Sequence, residues 1–244
     1  MNYLVDLDGT LLLGNGTGDG AREFIEEITR RGCGFRVMTN SIASPRAVSD
    51  RLRKAGLDIP ETLILTPIAA INGFISGRGI RSAFIVGSAA EADQISVPHE
   101  PENPEILILL DFEKENCAYA ELQTIFALVQ RGVPAIAASG SPWYLRDGIK
   151  RLDTGAFVRL LEGASGTPVR VFGKPSEEYF AEGIRALGVP ARDITVVGDD
   201  WSTDISGGAR SGCRTALITA GKYRTGNEAL CPPDLLIASL AELL

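Results

Sequence analysis

The chain alternates short runs of apolar residues with longer stretches in which apolar positions recur every three or four residues. The first pattern is typical of β-strands and the second of amphipathic α-helices. Strands are predicted at residues 3–6, 35–39, 63–66, 83–86, 106–111, 135–138, 169–172, 194–198 and 215–219. Helices are predicted at residues 20–31, 45–55, 67–76, 119–131, 155–161, 176–187 and 203–211.

The predicted strands are continuous apolar runs and lack the apolar–polar alternation of a strand with one exposed face. Such runs favour a parallel sheet covered by helices on both faces, which places the chain in the α/β class. Sheets of this kind bind their ligands at the carboxyl ends of the strands. Polar residues that directly follow a predicted strand are therefore the candidates for chemistry.

Residues 77–104 are rich in Gly, Pro and acidic residues, unlike the sequence on either side. This composition is typical of a place where a chain leaves one unit and builds another. We therefore expect a second unit at residues 73–170, inserted into a first unit that is formed by residues 1–72 and 171–244.

Composition and charge restrict the function without identifying it. The chain has 244 residues, of which 45% are hydrophobic, so it can bury a substantial core. Its formal net charge is −7 and no basic run occurs, which argues against binding to nucleic acid or to an anionic membrane surface. An anionic substrate would therefore need a local positive charge or a metal ion.

The cysteine pattern and the N-terminus bear on the compartment. Cys33, Cys117, Cys213 and Cys231 are far apart and His99 is the single histidine, so a structural zinc site is not favoured and we expect buried thiols. The sequence does not start with a basic segment followed by an apolar stretch, and it has no apolar run long enough to span a bilayer. We therefore expect a cytoplasmic protein.

The segment "VDLDGT" places two acids, Asp6 and Asp8, at the end of a predicted buried strand. Side chains at i and i+2 of an extended segment point the same way, so the two carboxylates should converge. At about 4 Å they would repel by roughly 4 kcal/mol at an effective dielectric constant near 20. Either one carboxylate is protonated or a cation lies between them, while a surface turn before Gly9 is the simpler alternative for this segment alone.

A second acidic group follows another predicted strand in "VVGDDWSTDISGG". Asp199 and Asp200 come directly after the strand, and Asp204 lies at the start of a predicted helix. Mg²⁺ takes few protein carboxylates and shares its other positions with water and substrate phosphate, so two such groups on neighbouring strands predict a magnesium site. The alternative for Asp204 is that it caps the helix N-terminus.

Two further strand ends carry groups that suit a phosphate. Thr39 and Asn40 stand at the end of one predicted strand, and Lys174 follows another, just before Pro175. Hydroxyl, amide and ammonium donors at one edge of a sheet can bind phosphoryl oxygens. Taken alone, a Thr-Asn pair is typical of a turn and a Lys before Pro is typical of solvated surface. The ordered set of four groups favours a phosphate site.

These groups resemble the motifs of the haloacid dehalogenase superfamily, which contains phosphatases and related hydrolases. The motifs are "DLDGT" at residues 6–10, "MTN" at 38–40, "GKP" at 173–175 and "GDDWSTD" at 198–204. The long separation of the second motif from the third resembles the type IIA branch, which has a large cap inserted there. The segments "GNGTGDGAREFI", "SPRAVSDRLRKAGLDIP", "DGIKRLDTGAFVRLLE" and "TAGKYR" resemble the subgroup related to phospholysine phosphohistidine inorganic pyrophosphate phosphatase. The resemblance implies a Rossmann-like doubly wound core with an inserted α/β cap.

The resemblance also implies catalytic and metal-binding roles. Asp6 is expected to attack phosphorus as the nucleophile, and Asp8 to act first as general acid and then as general base. Mg²⁺ is expected to be held by Asp6, the main-chain carbonyl of Asp8 and Asp199. Asp200 or Asp204 is expected to orient these ligands.

The substrate and the partners follow from the same resemblance. Thr39, Asn40 and Lys174 are expected to bind the phosphoryl oxygens of a small phosphorylated substrate, which is a phosphomonoester, pyrophosphate or a P–N compound. No nucleic acid or membrane partner is expected, and the resemblance allows a homodimer formed through the cap surface.

Some features leave alternatives open. Many type IIA relatives carry a Thr-Asn-Pro-Asp-like segment in the cap, whereas this chain has "AASGSPWYLRDG" at residues 137–148, so the substrate of better-known relatives does not transfer. Trp143, Tyr144 and Arg146 on this predicted loop could clamp the leaving group or could simply pack. The glycine-rich segment at residues 14–20 is expected to form a flexible flap.

Two other function classes compete with an Mg²⁺-dependent phosphatase that acts through an aspartyl-phosphate. A receiver-type phosphoacceptor domain also groups Asp, Thr and Lys on an α/β sheet, but it needs neither Asp-x-Asp-Gly-Thr nor a long insertion. A catalytically weak or idle relative could serve as a scaffold or interaction protein, but retention of every motif residue argues against it.

Overall fold

The computed structural model describes residues 1–112, 118–146 and 148–244, so Cys117 lies outside the described residues. The strands, numbered in chain order, are β1 (Asn2–Asp6), β2 (Leu12–Leu13), β3 (Gly16–Thr17), β4 (Phe35–Met38), β5 (Ile64–Leu65), β6 (Ala83–Val86), β7 (Ile106–Leu109), β8 (Ala135–Ala137), β9 (Trp143–Arg146), β10 (Ile149–Leu152), β11 (Arg170–Val171), β12 (Ile194–Gly198), β13 (Arg214–Ile218) and β14 (Leu235–Ile237). The α-helices are α1 (Ala21–Arg30), α2 (Pro45–Lys54), α3 (Pro67–Arg78), α4 (Ala89–Ala92), α5 (Tyr119–Gln130), α6 (Thr154–Ser165), α7 (Glu177–Leu187), α8 (Ser206–Arg210) and α9 (Asn227–Leu230).

The main sheet has the strand order β14-β13-β12-β1-β4-β5, and every neighbouring pair in it is parallel. β1 lies in the middle, where Tyr3 is aligned with Thr195 of β12 and with Phe35 of β4. The apolar runs therefore form buried parallel strands, and the predicted α/β class is confirmed. Because the strands are parallel, their carboxyl ends all lie at one edge of the sheet.

Helices cover both faces of the main sheet. On one face, Phe24 of α1 and Leu52 of α2 belong to the same core as the strand residues Val5 and Val37. The core of the other face joins residues of α7 to residues of β1 and β12 and comprises Leu4, Tyr179, Phe180 and Val196 among others. This two-sided burial explains why the strands lack apolar–polar alternation.

A second sheet has the strand order β11-β8-β7-β6 and is also parallel throughout. Residues of α3 cover one face together with Ile85, Ile108 and Phe172. The helices α5 and α6 cover the other face together with Leu107 and Leu109. The chain therefore forms two parallel sheets, each covered by helices and by an apolar core on both faces.

Helix α3 lies where the chain first passes from the main sheet to the second sheet. It directly follows β5 of the main sheet, while its buried residues Ile68, Ile71 and Ile75 pack in the core of the second sheet. Residue 73, where the inserted unit is expected to begin, lies inside this helix. The chain returns through β11, and the extent of the inserted unit stays a prediction.

The main difference from the sequence prediction is two hairpins. Residues 14–20, expected as a flexible flap, contain the turn of a short hairpin in which Leu12 pairs with Thr17, and Gly14 takes a φ of +59° there. Residues 143–148, expected as a loop, contain β9, which pairs antiparallel with β10. The residues of β10 are all exposed, so no apolar run marks this hairpin in the sequence.

Two further expectations concern the environment of the chain. Within residues 1–112, 118–146 and 148–244, no helix combines the length and apolar character that crossing a membrane requires. Cys33, Cys213 and Cys231 are free thiols, but of these Cys213 alone is buried and the other two are half-buried. The expectation of buried thiols is therefore wrong for Cys33 and Cys231.

Candidate active site

The candidate site lies at the carboxyl edge of the main sheet, where four neighbouring strands end. Asp6 is the last residue of β1, and Thr39 directly follows β4. Asp199 directly follows β12, and Lys222 lies in the loop after β13. The parallel order of these strands brings together residues that are more than two hundred positions apart in the sequence.

Three carboxylates form a buried cluster at this edge. Asp6, Asp199 and Asp204 each offer a carboxylate oxygen, and these oxygens lie within 4.8 Å of one another. Lys174 enters the cluster from the loop after β11, and its Nζ donates to Asp204 Oδ1 at 2.7 Å and to Asp6 Oδ1. Lys174 thus binds two of the three buried carboxylates, and its single charge does not balance three ionised carboxylates.

Burial and mutual repulsion change the protonation of the cluster. Burial raises the pKa of Asp6, and it raises that of Asp199 well above its ordinary value with help from the charges of Asp6 and Asp204. Burial also raises the pKa of Asp204 to about 7. Burial alone would lower the pKa of Lys174, but the charges of Asp204 and Asp6 outweigh it and keep the ammonium protonated. Burial and mutual repulsion therefore oppose full ionisation of the three carboxylates, and a further cation would favour it.

The donor set fits a divalent metal ion. Asp6 Oδ2 is buried and has no hydrogen-bond partner among the described residues, although its other oxygen is bound by Lys174. A buried carboxylate oxygen without a partner carries a desolvation cost that a bound cation removes. All three side chains offer oxygen, which is the donor that hard cations such as Mg²⁺ prefer.

Asp199 is held between two backbone segments. Lys222 N donates to Asp199 Oδ2 at 2.5 Å. A Cβ on Gly221 would lie 1.9 Å from the same oxygen and 2.6 Å from the Cα of Gly9, so no side chain fits at this position. Gly221 also takes a φ of +51°, which side chains disfavour. The orientation of Asp199 therefore depends on a glycine at position 221.

We expect Gly221→Ala to lower the affinity for Mg²⁺ at least about tenfold, because the new methyl group displaces the carboxylate of Asp199. Isothermal titration of the chain with Mg²⁺ measures this. Gly188→Ala is the matched control, since Gly188 has a φ of +68° but a methyl group added there would meet no atom within 4 Å. Equal affinities for Gly221→Ala and the wild type would contradict the role of this loop.

Asp8 does not join the cluster. The strand ends at Asp6 and the chain turns at Leu7, so the alternation expected from i to i+2 does not continue. The Asp8 carboxylate is about half exposed and accepts a hydrogen bond from Arg51 Nη2 of α2, although its charge still contributes to raising the pKa of Asp6. The Asp6 and Asp8 carboxylates therefore have different partners in the structure, and the carboxylates grouped with Asp6 are those of Asp199 and Asp204.

The structure gives different surroundings to the two residues expected to bind phosphate after β4. Thr39 is buried, and its hydroxyl accepts from Ser41 N at 3.0 Å, which leaves the hydroxyl hydrogen to donate. Asn40 instead accepts from Lys174 N at 2.6 Å and donates to Lys174 O at 2.9 Å. The Asn40 side chain thus holds the Lys174 loop in place.

Asp200 and Asp204 also have separate surroundings. Asp200 accepts from Ser202 N at 2.9 Å and so caps the π-helical turn Trp201–Ile205 that precedes α8. It also accepts from Lys222 Nζ at 2.9 Å. Burial favours a higher pKa for Asp200, but Lys222 and Ser202 outweigh this and lower it. Asp200 therefore caps the turn through its side chain, while Asp204 accepts from Asp200 N at 3.2 Å and also belongs to the cluster.

Lys222 was not among the expected site residues. It lies in "TAGKYR", directly after a strand that neighbours β12, and this position at the same sheet edge is the signal that could have identified it. Asp153 is a second such residue: it accepts from Ser139 Oγ at 3.2 Å, and burial raises its pKa. Asp153 gives no comparable signal, because it lies between an exposed strand and a helix.

An open groove of about 700 Å³ lies elsewhere on the molecule. Gly140 and Val158 line one part of it, and Pro175, Glu178 and Arg210 line another. Its lining contains no member of the acidic cluster, and the cluster is therefore the better candidate for chemistry.

Comparison with known proteins covers nearly the whole chain. The haloacid dehalogenase-like hydrolase family matches residues 3–96, and a family described as HAD-hydrolase-like matches residues 171–243. Haloacid dehalogenase-like hydrolase domain-containing protein 2 of Rattus norvegicus is 31% identical over 236 residues, which cover 96% of this chain and 90% of that protein. Phospholysine phosphohistidine inorganic pyrophosphate phosphatase of Homo sapiens is 30% identical over 235 residues, which cover 92% of this chain and 85% of that protein.

Solved structures share the fold. A 4-nitrophenylphosphatase from Thermotoga maritima superimposes with a TM-score of 0.89 at 24% identity, covering 99% of this chain and 95% of that one. A glycerol phosphate phosphatase from Mycobacterium tuberculosis, solved in complex with magnesium, gives a TM-score of 0.85 at 22% identity, covering 99% and 76%. Both the core sheet and the second sheet therefore have counterparts in these proteins.

Proposed function

The chain belongs to the haloacid dehalogenase-like hydrolases, and we propose that it is an Mg²⁺-dependent phosphatase that forms an aspartyl-phosphate on Asp6. The observation that carries the proposal is the partnerless Oδ2 of Asp6, buried beside Lys174 and two further carboxylates. Because Lys174 binds Oδ1, the two oxygens of Asp6 are distinct, and Oδ2 is the one free to bond to another atom.

The first half of the reaction transfers the phosphoryl group to the chain. One carboxylate oxygen of Asp6 forms a bond to phosphorus as the bond from phosphorus to the leaving oxygen breaks, and Asp8 gives its proton to that oxygen. Lys174 and the Thr39 hydroxyl donate to the equatorial oxygens, where negative charge is greatest in the transition state. For this step Asp8 must release Arg51, which binds its carboxylate in the structure.

The second half returns Asp6 to its carboxylate form. Asp8 takes a proton from water, the water oxygen bonds to phosphorus, and the bond between phosphorus and Asp6 breaks to release inorganic phosphate. Lys174 holds Asp6 Oδ1 throughout, so the leaving carboxylate is stabilised by an ammonium that is already in place.

The candidate metal ligands are Asp6, Asp199 and Asp204, together with the main-chain carbonyl of Asp8. A bound Mg²⁺ supplies positive charge beside the phosphoryl oxygens. The glycerol phosphate phosphatase of the same fold, solved with magnesium and also with calcium, supports a divalent cation.

The substrate is proposed to be a small phosphorylated metabolite. Relatives whose names refer to phospholysine, phosphohistidine, pyrophosphate, nitrophenyl phosphate and glycerol phosphate support a phosphoryl substrate and leave its leaving group open. A panel of phosphomonoesters, pyrophosphate and P–N compounds, assayed for released phosphate, identifies the class. Weak activity of equal size on every compound would instead favour the catalytically weak relative.

We expect the purified chain to release phosphate from p-nitrophenyl phosphate in the presence of Mg²⁺. EDTA should abolish this activity, and added Mg²⁺ should restore it. Acid quenching during turnover should trap a phosphoryl group on the peptide that contains Asp6, as mass spectrometry would show. A rate that EDTA does not change would contradict the metal, and a phosphoryl group on another peptide would contradict the intermediate.

A further inference from the structure

Lys222 contacts two parts of the molecule that the chain builds separately. Its Nζ donates to Asp200 Oδ2 at 2.9 Å, in the metal loop, by which we mean residues 199–204. The same Nζ donates to Ser141 Oγ at 3.0 Å, in the cap segment, by which we mean residues 139–143 after β8 of the second sheet. The Nζ also lies 5.0 Å from the centroid of the Trp143 ring. The Lys222 ammonium thus connects a loop of the main sheet to a loop of the second sheet.

The geometry of these contacts argues against a chance surface pair. An ammonium has three N–H groups, and Lys222 meets a carboxylate, a hydroxyl and an aromatic face. Its side chain is 17% exposed, so little of it is left for water. Asp200 alone would neutralise the charge, and the contact with Ser141 therefore adds a link that charge balance does not require.

The cap segment is tied to the rest of the site by further hydrogen bonds. Ser139 Oγ accepts from Asn40 Nδ2 at 3.1 Å, and Asn40 holds the main chain of Lys174. Ser141 N donates to Ser139 Oγ at 3.1 Å, and Ser141 Oγ donates to Trp143 O at 2.8 Å. The bonds run from the Lys174 loop through the cap segment to Lys222, whose own N–H holds Asp199.

We propose that Lys222 is a positioning residue that docks the cap segment on the metal loop and so couples the position of the cap segment to the orientation of Asp199. The consequence for catalysis rests on the proposed phosphatase function, since the docked segment holds Trp143 beside Lys222, whose main-chain N–H binds Asp199 of the cluster. A loop held in this way excludes water from the site and limits the positions that a leaving group can take.

Hydrogen–deuterium exchange tests the docking without any substrate. We expect amides of residues 139–155 to exchange about tenfold faster in Lys222→Met and Ser141→Ala, as for the loss of one hydrogen bond to a charged group. Amides of β1 and β12 report on the main sheet and should keep their rates. Lys150→Met is the matched control, because the Lys150 ammonium lies 4.3 Å from the Trp143 ring centroid on the neighbouring strand β10. Unchanged exchange at residues 139–155 in both test variants, or equal acceleration in Lys150→Met, overturns the proposal.

Kinetics with p-nitrophenyl phosphate test the positioning role. We expect kcat of Lys222→Met to fall about 10–100-fold with a smaller change in KM, and Lys222→Arg to recover part of the loss. The double variant with Ser141→Ala should lose less than the product of the two single losses, since the contact between Lys222 Nζ and Ser141 Oγ is already absent in Lys222→Met. Slower turnover without faster exchange would overturn docking as its cause. A wild-type chain that releases no phosphate would contradict the proposed function, while the exchange experiment would still decide the docking.

Discussion

Asp6→Asn is expected to reduce phosphate release from p-nitrophenyl phosphate by a factor of about 10³ or more while the chain remains folded. The amide nitrogen or oxygen of asparagine cannot form the acyl phosphate that a carboxylate forms, so the covalent step is lost. The substitution keeps the shape of the side chain, and Lys174 retains its bond to Asp204. The measurement is phosphate release at saturating Mg²⁺, together with thermal unfolding.

The repulsion within the cluster also predicts how Asp6→Asn changes the thermal stability of the chain. Asp6, Asp199 and Asp204 repel one another, and the variant has one negative charge fewer. In EDTA the melting temperature of Asp6→Asn should therefore equal or exceed that of the wild type, and the increase caused by Mg²⁺ should be smaller. Asp50→Asn, at a half-exposed position of α2 that pairs with Arg53, is the control with unchanged activity. Full turnover by Asp6→Asn would refute its role as the nucleophile.

The parts of the site that could be predicted are those that follow from strand ends. Asp6, Thr39 and Asp199 each stand where a buried apolar run stops, and parallel strands bring such positions to one edge. Lys174 is recognised in the same way from the end of β11, although β11 belongs to the second sheet. The apolar periodicity of the sequence therefore locates the site residues whose position is set by the end of a strand.

The parts that could not be predicted are pairings between side chains of separate elements. The ion pair of Asp8 with Arg51 depends on how α2 packs beside the loop after β1, and no local pattern specifies it. The same holds for Asn40, whose partner Lys174 is 134 positions away in the sequence. The hairpin of β9 and β10 is exposed, so it lacks the apolar signal that marks a buried strand.

Lys174→Met is expected to abolish activity and to destabilise the chain most strongly when Mg²⁺ is absent. Removing one partner of a buried ion pair typically costs about 3–5 kcal/mol, and here two carboxylates lose the same ammonium. Protonation of the carboxylates offsets part of this cost, but a protonated Asp6 does not attack phosphorus. Activity should therefore stay lost even where the fold is retained.

The pH dependence of this variant distinguishes a charge effect from poor packing. The pKa of Asp204 is already about 7 in the folded chain, and without Lys174 the charge that lowers it is gone. Between the ordinary aspartate pKa and this raised value, the folded variant binds more protons than the unfolded chain, so its stability falls as the pH rises. In EDTA the melting temperature of Lys174→Met should thus lie further below that of the wild type at pH 8 than at pH 6. Lys54→Met, at the exposed end of α2, is the control without such a dependence. A deficit of equal size at both pH values would show that the ammonium is not what balances the cluster.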